Sequence, residues 1–283
     1  MLNKNLFRVW FITGCSTGFG RELAKAALQT GYRVVVTSRK LKDIEDILNT
    51  YPDTSFGITL DVTKLGEIDT AVTKAIEKFG RIDVLVNNAG IGYFAALEES
   101  EEDEVRKMFE INFFGLSHVT KAILPEMRKQ RSGHIVNISS MGGLAAFPGV
   151  GYYNATKFAV EGYSEALSKE VKPLGINVTI IAPGPFRTDW AGRSAKDSSI
   201  VIQDYAETAI ANKNRMRGYS GKQPGDPVRA AAAIIKAVEV SEPPLRLLLG
   251  SLALQVGRNK LDELKKDFDT WEEVSLSADY PQS

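Results

Sequence analysis

Short apolar, β-branched runs recur along this chain, and each is followed by a stretch whose apolar residues fall at helical spacing. "RVWFIT" (8–13) precedes a helix from about Gly18 to Thr30, and "YRVVVTS" (32–38) precedes a charged helical stretch over 41–50. "SFGITLDV" (55–62) precedes a helix over about 64–79, and "IDVLVNNAG" (82–90) a long helical region over 101–130. "GHIVNISS" (133–140) leads to a helix containing "YYNATKFAVEGYSEAL" (152–167); "INVTIIAPG" (176–184) and "PLRLLLG" (244–250) are the last strand candidates. The runs are continuous rather than alternating, as in strands buried on both faces. Strand and helix alternation predicts an α/β fold, a parallel sheet covered by helices on both faces, with ligands at the carboxyl ends of its strands. There is no repeat, low-complexity block or linker.

The first strand ends in "TGCSTGFG" (13–20), with glycines at 14, 18 and 20 between a strand and a helix. Backbone without side chains approaches a phosphate closely, and helix N–H groups and dipole favour its charge. The spacing is not the common G-x-G-x-x-G. A site for NAD usually carries an acidic residue at the end of the second strand, where this chain has "TSRK" (37–40). Ser38 and Arg39 suit a 2′-phosphate, with Lys40 adding charge, so NADP(H) is expected over NAD(H). The alternative is a basic, solvated helix start.

Tyr153 and Lys157 are four residues apart and share a helix face. A phenol with a pKa near 10 exchanges protons poorly at neutral pH, and a nearby ammonium is expected to lower that value. Such a pair is a proton donor with its tuner, or else a packed tyrosine beside a surface lysine. Tyr152 has Thr156 four residues on and is expected only to pack. The two serines before "MGG", Ser139 and Ser140, fall on opposite faces of the strand because side chains alternate. Asn112, in the apolar stretch "VRKMFEINFFGLSHV", is a poor helix former and needs partners if buried.

Taken together, "TGCSTGFG", "NNAG" (87–90), "YNATK" (153–157) and "PGPFRT" (183–188), with Asn112 in "INFFG" and Ser140 in "ISSMGG", resemble the motifs of short-chain dehydrogenases/reductases in the same order. The resemblance spans about residues 8–190 and is looser beyond. It is nearest to hydroxysteroid dehydrogenase-like and carbonyl reductase-like members. It implies one Rossmann-type, doubly wound domain over 1–283 with seven parallel strands. The implied activity is NAD(P)-dependent interconversion of carbonyl and alcohol, with Asn112, Ser140, Tyr153 and Lys157 as the catalytic group. Tyr153 would exchange the proton, Lys157 would also bond the nicotinamide ribose, and Asn112 would hold a water that relays protons. For the cofactor the resemblance implies Gly14, Ser16, Thr17, Gly18, Phe19 and Gly20 at the phosphates and Ser38 and Arg39 at the 2′-position. Asp61 and Val62 would meet the adenine, and Asn88, Ala89 and Gly90 the adenosine ribose side. Pro183, Gly184, Phe186 and Thr188 would flank the nicotinamide.

By the same resemblance, residues 185 to about 225 form a substrate lid. Phe186, Trp190, Tyr205, Phe94, Phe147 and Met141 are its candidate apolar wall, suited to a hydrophobic carbonyl or alcohol; each could equally be core. The C-terminal extension over about 251–283 is helix and then polar tail, with apolar residues at 261, 264, 268 and 271. It is read as covering either a subunit contact or the cleft mouth. Dimers or tetramers are what the resemblance implies for assembly.

Composition narrows the alternatives. Among 283 residues, 35 cations balance 35 carboxylates, so no net field draws nucleic acid or an anionic membrane. No apolar run spans a bilayer, and the apolar start "MLNKNLFRVWFITG" runs into the glycine motif, so it is read as a strand and not as a signal peptide. The single Cys15 forms no internal disulfide and points to a reducing cytoplasm; it is expected to be a small filler. His118 and His134 are read as structural and no metal is expected. The competing reading is a catalytically silent NADP(H)-binding regulatory or scaffold protein, opposed by the complete set of four catalytic residue types.

Overall fold

Along the first strand, β1 (Val9–Ile12), Trp10 and Ile12 pack on one face of a sheet, Val9 and Phe11 on the other, and all four are fully buried. Burial on both faces is why the run is continuously apolar. The computed structural model describes residues 8–280. From β1 the chain continues through α1 (Gly18–Gln29), β2 (Arg33–Ser38), α2 (Glu45–Thr50), β3 (Ser55–Thr59), α3 (Leu65–Phe79), β4 (Val84–Asn87) and β5 (Gly92–Phe94). It then passes through α4 (Glu102–Phe109), α5 (Leu116–Gln130), β6 (Gly133–Ile138), α6 (Gly151–Val171), β7 (Ile176–Pro183) and β8 (Ala195–Asp197). The last elements are α7 (Ala211–Gly218), α8 (Pro227–Glu239), β9 (Arg246–Leu249), α9 (Ser251–Thr270) and α10 (Glu272–Leu276).

Seven strands form one sheet in the order β3-β2-β1-β4-β6-β7-β9, every pair parallel, with Trp10 in register with both Val34 and Val84. The expected doubly wound, seven-stranded sheet is therefore what forms. On one face α1 and α8 cover Trp10, Ile12, Val34 and Val36; on the other α3, α5 and α6 cover Phe11, Val35, Leu85 and Ile135. Each fully buried large apolar side chain contributes roughly 1.5–3 kcal/mol, so these two layers hold the sheet. Strand order reverses between β1 and β4, and a crevice opens at their carboxyl ends.

Several details differ from the sequence reading. Strand three stops at Thr59, and the helix over 41–50 begins as a 3₁₀ turn over Leu41–Ile44. The region 101–130 is not one helix: a π-helical turn, Glu110–Gly115, separates α4 from α5 and contains Asn112. Helix α8 was not foreseen; Asp226 caps it by accepting from the N–H of Val228 at 2.8 Å, and Pro227 occupies its first turn. A second, two-stranded sheet was also not foreseen: β5 pairs parallel with β8, setting Gly92 opposite Ala195. That pair holds residues 190–197 over the crevice. Arg217 fastens the same segment, donating to the carbonyls of Ala191 at 2.8 Å, Gly192 at 2.6 Å and Ala195 at 2.7 Å and pairing with Asp197. No helix among the described residues is long and apolar enough to cross a membrane. The start 1–7 and the last residues of the polar tail, 281–283, lie outside the described residues.

Candidate active site

The glycine loop and the loop after β4 form one unit. The Thr13 hydroxyl accepts from the N–H of Asn88 at 2.9 Å and of Ala89 at 3.0 Å, and the Asn88 amide donates to the carbonyls of Thr13 and Gly14, both at 2.9 Å. Gly14 (φ 70°) and Gly18 (φ 61°) adopt left-handed backbone that favours glycine. No side chain caps α1, so its first N–H groups are free for an anion. Ser16, Thr17, Gly18 and Phe19 border the crevice there. Gly20 does not: a Cβ on it would lie 2.3 Å from the Asn88 amide nitrogen and 2.5 Å from the Gly14 carbonyl oxygen. Its role is to let α1 close on the loop.

At the end of β2 the Ser38 hydroxyl is turned onto the chain, donating to the carbonyl of Lys40 at 2.8 Å and accepting from its N–H at 3.1 Å. Arg39 is exposed at the rim and makes no hydrogen bond or ion pair with the described residues. Asp61 borders the crevice with its carboxylate accepting from the N–H of Thr63 at 3.0 Å and its hydroxyl at 2.8 Å. Burial acts to raise its pKa, but the Thr63 bonds, with help from Lys64 and Arg39, leave it below the ordinary value. Val62, Asn88, Ala89, Gly90, Pro183, Gly184, Phe186 and Thr188 all border the same crevice. This uncapped helix end, glycine cradle and free guanidinium fit a dinucleotide phosphate.

Ser140 ends the β6 loop and accepts from the N–H of Gly142 at 3.0 Å, while Tyr153 lies in the first turn of α6 with Lys157 one turn on. Tyr153 is 9% exposed and Lys157 7%. The Lys157 ammonium donates to the carbonyl of Ile138 at 2.8 Å and lies 5.7 Å from the centre of the Tyr153 ring. The expected lowering of the phenol is not found. Burial pushes Tyr153 up to about 12, with the Ser140 hydroxyl acting the other way. Burial also pulls Lys157 down to about 8, against the opposing charge of Glu161. Desolvation is the largest cause for both groups because both sit in the same buried site. Ser139 is buried with no hydrogen-bond partner for its hydroxyl among the described residues, and it borders the crevice together with Ser140.

Asn112 does not border the crevice. Its carbonyl oxygen accepts from the N–H of Ile91 at 2.8 Å, and its amide donates to the carbonyl of Ile91 at 2.9 Å and to the Thr156 hydroxyl at 3.2 Å. That hydroxyl donates to the carbonyl of Tyr153 at 2.7 Å. The π-helical turn thus ties the β4 loop to the turn that carries Tyr153, which is the structural role open to a helix irregularity.

Of the candidate wall, Trp190, Phe147, Met141 and Phe186 border the crevice. Two candidates do not. Phe94 is 1% exposed behind Trp190, ring centres 5.7 Å apart, and Tyr205 turns away to donate to Glu98 at 2.6 Å. Ile91, Val150, Met216, Leu252 and Val256 add to the apolar lining, and Asn154, Gln223 and Arg215 add polar groups. Leu252 and Val256 lie four apart on α9, a spacing visible in sequence; the others come from folding alone. Tyr152 packs against the cluster around Tyr93 and Val150, as expected. Cys15 is fully buried, its thiol donating to the carbonyl of Ile12 at 3.2 Å and pushed up to about 12 by burial, a filler and not a nucleophile. His134 bonds Thr179 at 2.8 Å and is pulled down to about 4 by burial; His118 stacks on Phe114.

The crevice has a volume of about 1330 Å³, above the usual range for one small ligand. It holds room for a dinucleotide and a substrate. Comparison with known proteins agrees with this architecture. The family model described as short chain dehydrogenase matches residues 8–199. Oxidoreductase BOA17 of Botryotinia fuckeliana is 39% identical over 96% of this chain and 99% of its own length. A 3-ketodihydrosphingosine reductase of Bacteroides thetaiotaomicron is 39% identical over 87% of this chain and 88% of its own. The crystal structure of a short-chain dehydrogenase from Streptomyces avermitilis superposes with a TM-score of 0.92 at 42% identity, covering 98% of this chain and 100% of that one. An alcohol dehydrogenase from Thermococcus sibiricus, complexed with 5-hydroxy-NADP, has a TM-score of 0.72 at 25% identity, covering 87% of this chain and 97% of that one. A member from Burkholderia phymatum, in complex with NAD, shares the fold with a TM-score of 0.82 at 23% identity, covering 92% of this chain and 95% of that one. Strand order, glycine loop, the Ser140, Tyr153 and Lys157 grouping and the family match together make this chain a member of the short chain dehydrogenase family.

Proposed function

We propose that this protein is an NADP(H)-dependent oxidoreductase interconverting a hydrophobic ketone or aldehyde with its alcohol, with Tyr153 exchanging the proton. Family membership makes it an oxidoreductase using a nicotinamide dinucleotide. The observation that carries it is the convergence of Tyr153, Ser140 and Lys157 on one buried crevice beside the glycine loop.

A bound nicotinamide supplies or accepts the hydride. Everything else falls to the chain. Tyr153, buried and protonated at neutral pH, donates its proton to the carbonyl oxygen in reduction. Ser140 bonds the same oxygen and stabilises its developing charge. Lys157 bonds the nicotinamide ribose, and its charge favours the phenolate as the proton leaves. Asn112 positions the turn that carries Tyr153, and its carbonyl oxygen keeps a lone pair for the relay water. Gly14, Ser16, Thr17, Gly18 and Phe19 hold the phosphates; Arg39 meets the 2′-phosphate, which favours NADP(H). Residues 185–225 act as the lid of one Rossmann domain, and Trp190, Phe147 and Met141 form the wall for an apolar substrate. A relative named as a 3-ketodihydrosphingosine reductase supports such a substrate. A single buried cysteine, Cys15, with no second one to bridge to, is consistent with a cytoplasmic protein.

The test is NADPH oxidation followed by absorbance against aldehydes, aryl ketones, steroids and retinal, using wild type and Tyr153→Phe. Wild type turns over at least one class, and Tyr153→Phe binds NADPH normally but loses roughly 10²–10⁴-fold in rate. A wild type that binds NADPH and turns over nothing supports the silent binder instead; equal rates in both proteins remove Tyr153 from the chemistry.

A further inference from the structure

Asn154 follows Tyr153 in the first turn of α6 and is 2% exposed, yet its side-chain amide is bonded at one end only. The nitrogen donates to the carbonyl of Phe147 at 3.0 Å, which fixes the other end as the oxygen. That oxygen, Oδ1, is buried and finds no hydrogen-bond partner among the described residues. A buried acceptor without a donor is costly, and folded proteins hold few of them. This one stands at the reacting end of the crevice, which Asn154, Gly142, Ser140 and Tyr153 all border. A Cβ on Gly142 would lie 2.8 Å from Asn154 Oδ1, 3.4 Å from Ser140 Oγ and 3.7 Å from Tyr153 Cε1, so the three groups surround one point. The Gly142 backbone is not left-handed, so glycine is needed there for room and not for conformation. The room lets the amide oxygen come in beside the serine and the phenol.

Resting on the reading that Ser140 and Tyr153 bond the reacting carbonyl oxygen, we propose that Asn154 Oδ1 accepts from a hydroxyl of the substrate, one or two carbons from that carbonyl. The substrate is then an apolar hydroxy ketone or hydroxy aldehyde, and its reduction product a diol. Both oxygens of such a molecule meet partners grouped around a single point, which limits how far apart they stand. The carbonyl takes hydride from NADPH at its carbon and the Tyr153 proton at its oxygen, giving the diol and NADP+; the other hydroxyl keeps its proton throughout. A neutral donor suits the place better than an ammonium, because the Lys157 ammonium lies 5.7 Å from the centre of the Tyr153 ring and repels a second cation. Met141, Phe147 and Trp190 leave an apolar surface for the rest of the molecule. A site built to bond a substrate hydroxyl rejects an analogue without one, because the acceptor then stays unpaired.

The experiment compares hydroxyl with methoxyl, which keeps the oxygen and removes the donor. With the full chain and NADPH, kcat/KM is measured for α-hydroxyacetophenone against α-methoxyacetophenone and for β-hydroxypropiophenone against β-methoxypropiophenone. In wild type the hydroxy ketone of at least one pair is preferred by roughly ten- to a hundredfold. Asn154→Ala loses that preference, and so does Gly142→Ala, whose new methyl drives the amide oxygen aside. A merely structural role of Asn154 lowers both members of a pair together and leaves their ratio as it was, which overturns the proposal. A wild type indifferent to the methyl cap overturns it too. So does a stronger preference for α-aminoacetophenone that Asn154→Ala abolishes, since the donor is then a cation. Equilibrium dialysis of phenylethylene glycol and its methyl ether with the NADP+ complex separates this proposal from the catalytic reading. If no ketone turns over, tighter binding of the glycol that is lost in Asn154→Ala upholds the hydroxyl site while the catalytic reading fails; equal binding of the two overturns the site.

Discussion

The indole of Trp190 lies against the ring of Tyr153, centres 4.7 Å apart and planes at 53°. Gly92 makes the room: a Cβ there would be 3.0 Å from the indole. Behind it stands Phe94, and Arg217 lies over the Phe94 ring at 4.6 Å. The burial that raises Tyr153 is therefore partly the work of a residue 37 positions away on the segment held by β5 and β8. Trp190→Ala opens the phenol to water and lowers its pKa. In the direction of alcohol oxidation, where Tyr153 acts as the base, the rising limb of the pH profile of kcat/KM moves to lower pH. An unmoved limb would show that the indole does not set Tyr153's environment.

Arg39 makes no hydrogen bond or ion pair with the described residues and stands at the rim where a 2′-phosphate is proposed. A charge-assisted bond of this kind is worth about 1.5–3 kcal/mol. Arg39→Ala therefore weakens NADPH binding by roughly ten- to a hundredfold and leaves NADH nearly unchanged. Fluorescence titration of both dinucleotides reads the ratio; a parallel loss of both would place Arg39 elsewhere in the binding.

His134 is pulled from 6.5 down to about 4 by burial, with a smaller contribution from Arg8. The unfolded chain thus binds the proton first. Between pH 6.5 and 4 the unfolded state holds more protons than the folded one, so stability falls as pH drops through that window. The loss reaches roughly 3 kcal/mol at the acid end. In His134→Gln this part of the pH dependence disappears, which urea titrations at pH 7, 5.5 and 4 measure as the difference between the two proteins.

Gly20 faces the Asn88 amide and the Gly14 carbonyl and not the crevice. Gly20→Ala must displace one of them. A cost of about 2 kcal/mol in stability is expected, together with weaker NADPH binding, because the phosphate loop moves. Thermal melts with and without NADPH separate the two effects; an unshifted melt would contradict the packing described for this turn.

Much of the fold was legible because its signals are local. Buried parallel strands must be continuously apolar, so all seven sheet strands stand out in sequence, and the glycine turn stands out by its position after the first. Helix α8 and the β5–β8 pair escape the sequence reading for physical reasons: the first directly follows the segment read as a substrate lid, and the second has three-residue strands with no periodicity to detect. In the site, the four-residue spacing of Tyr153 and Lys157 and the order of the motifs were readable. That Phe94 sits behind Trp190, and that Tyr205 turns to Glu98, were not. An aromatic side chain carries the same sequence signal whether it lines a cavity or supports the residue that does.

By itself the sequence determined the strand series, the phosphate-binding turn, the residue types that meet at the crevice and the apolar stripe of the last helix, since each depends on neighbours within a few positions. Only the tertiary structure decided the electrostatics. Whether Lys157 lowers Tyr153 depends on how much water both groups lose, and burial by Trp190 and the β6 loop makes desolvation the larger effect. It also decided that Asn112 acts through the backbone of Ile91 and the hydroxyl of Thr156, and that Gly20 serves packing. Those outcomes rest on distances between residues far apart in the chain, which no local pattern encodes.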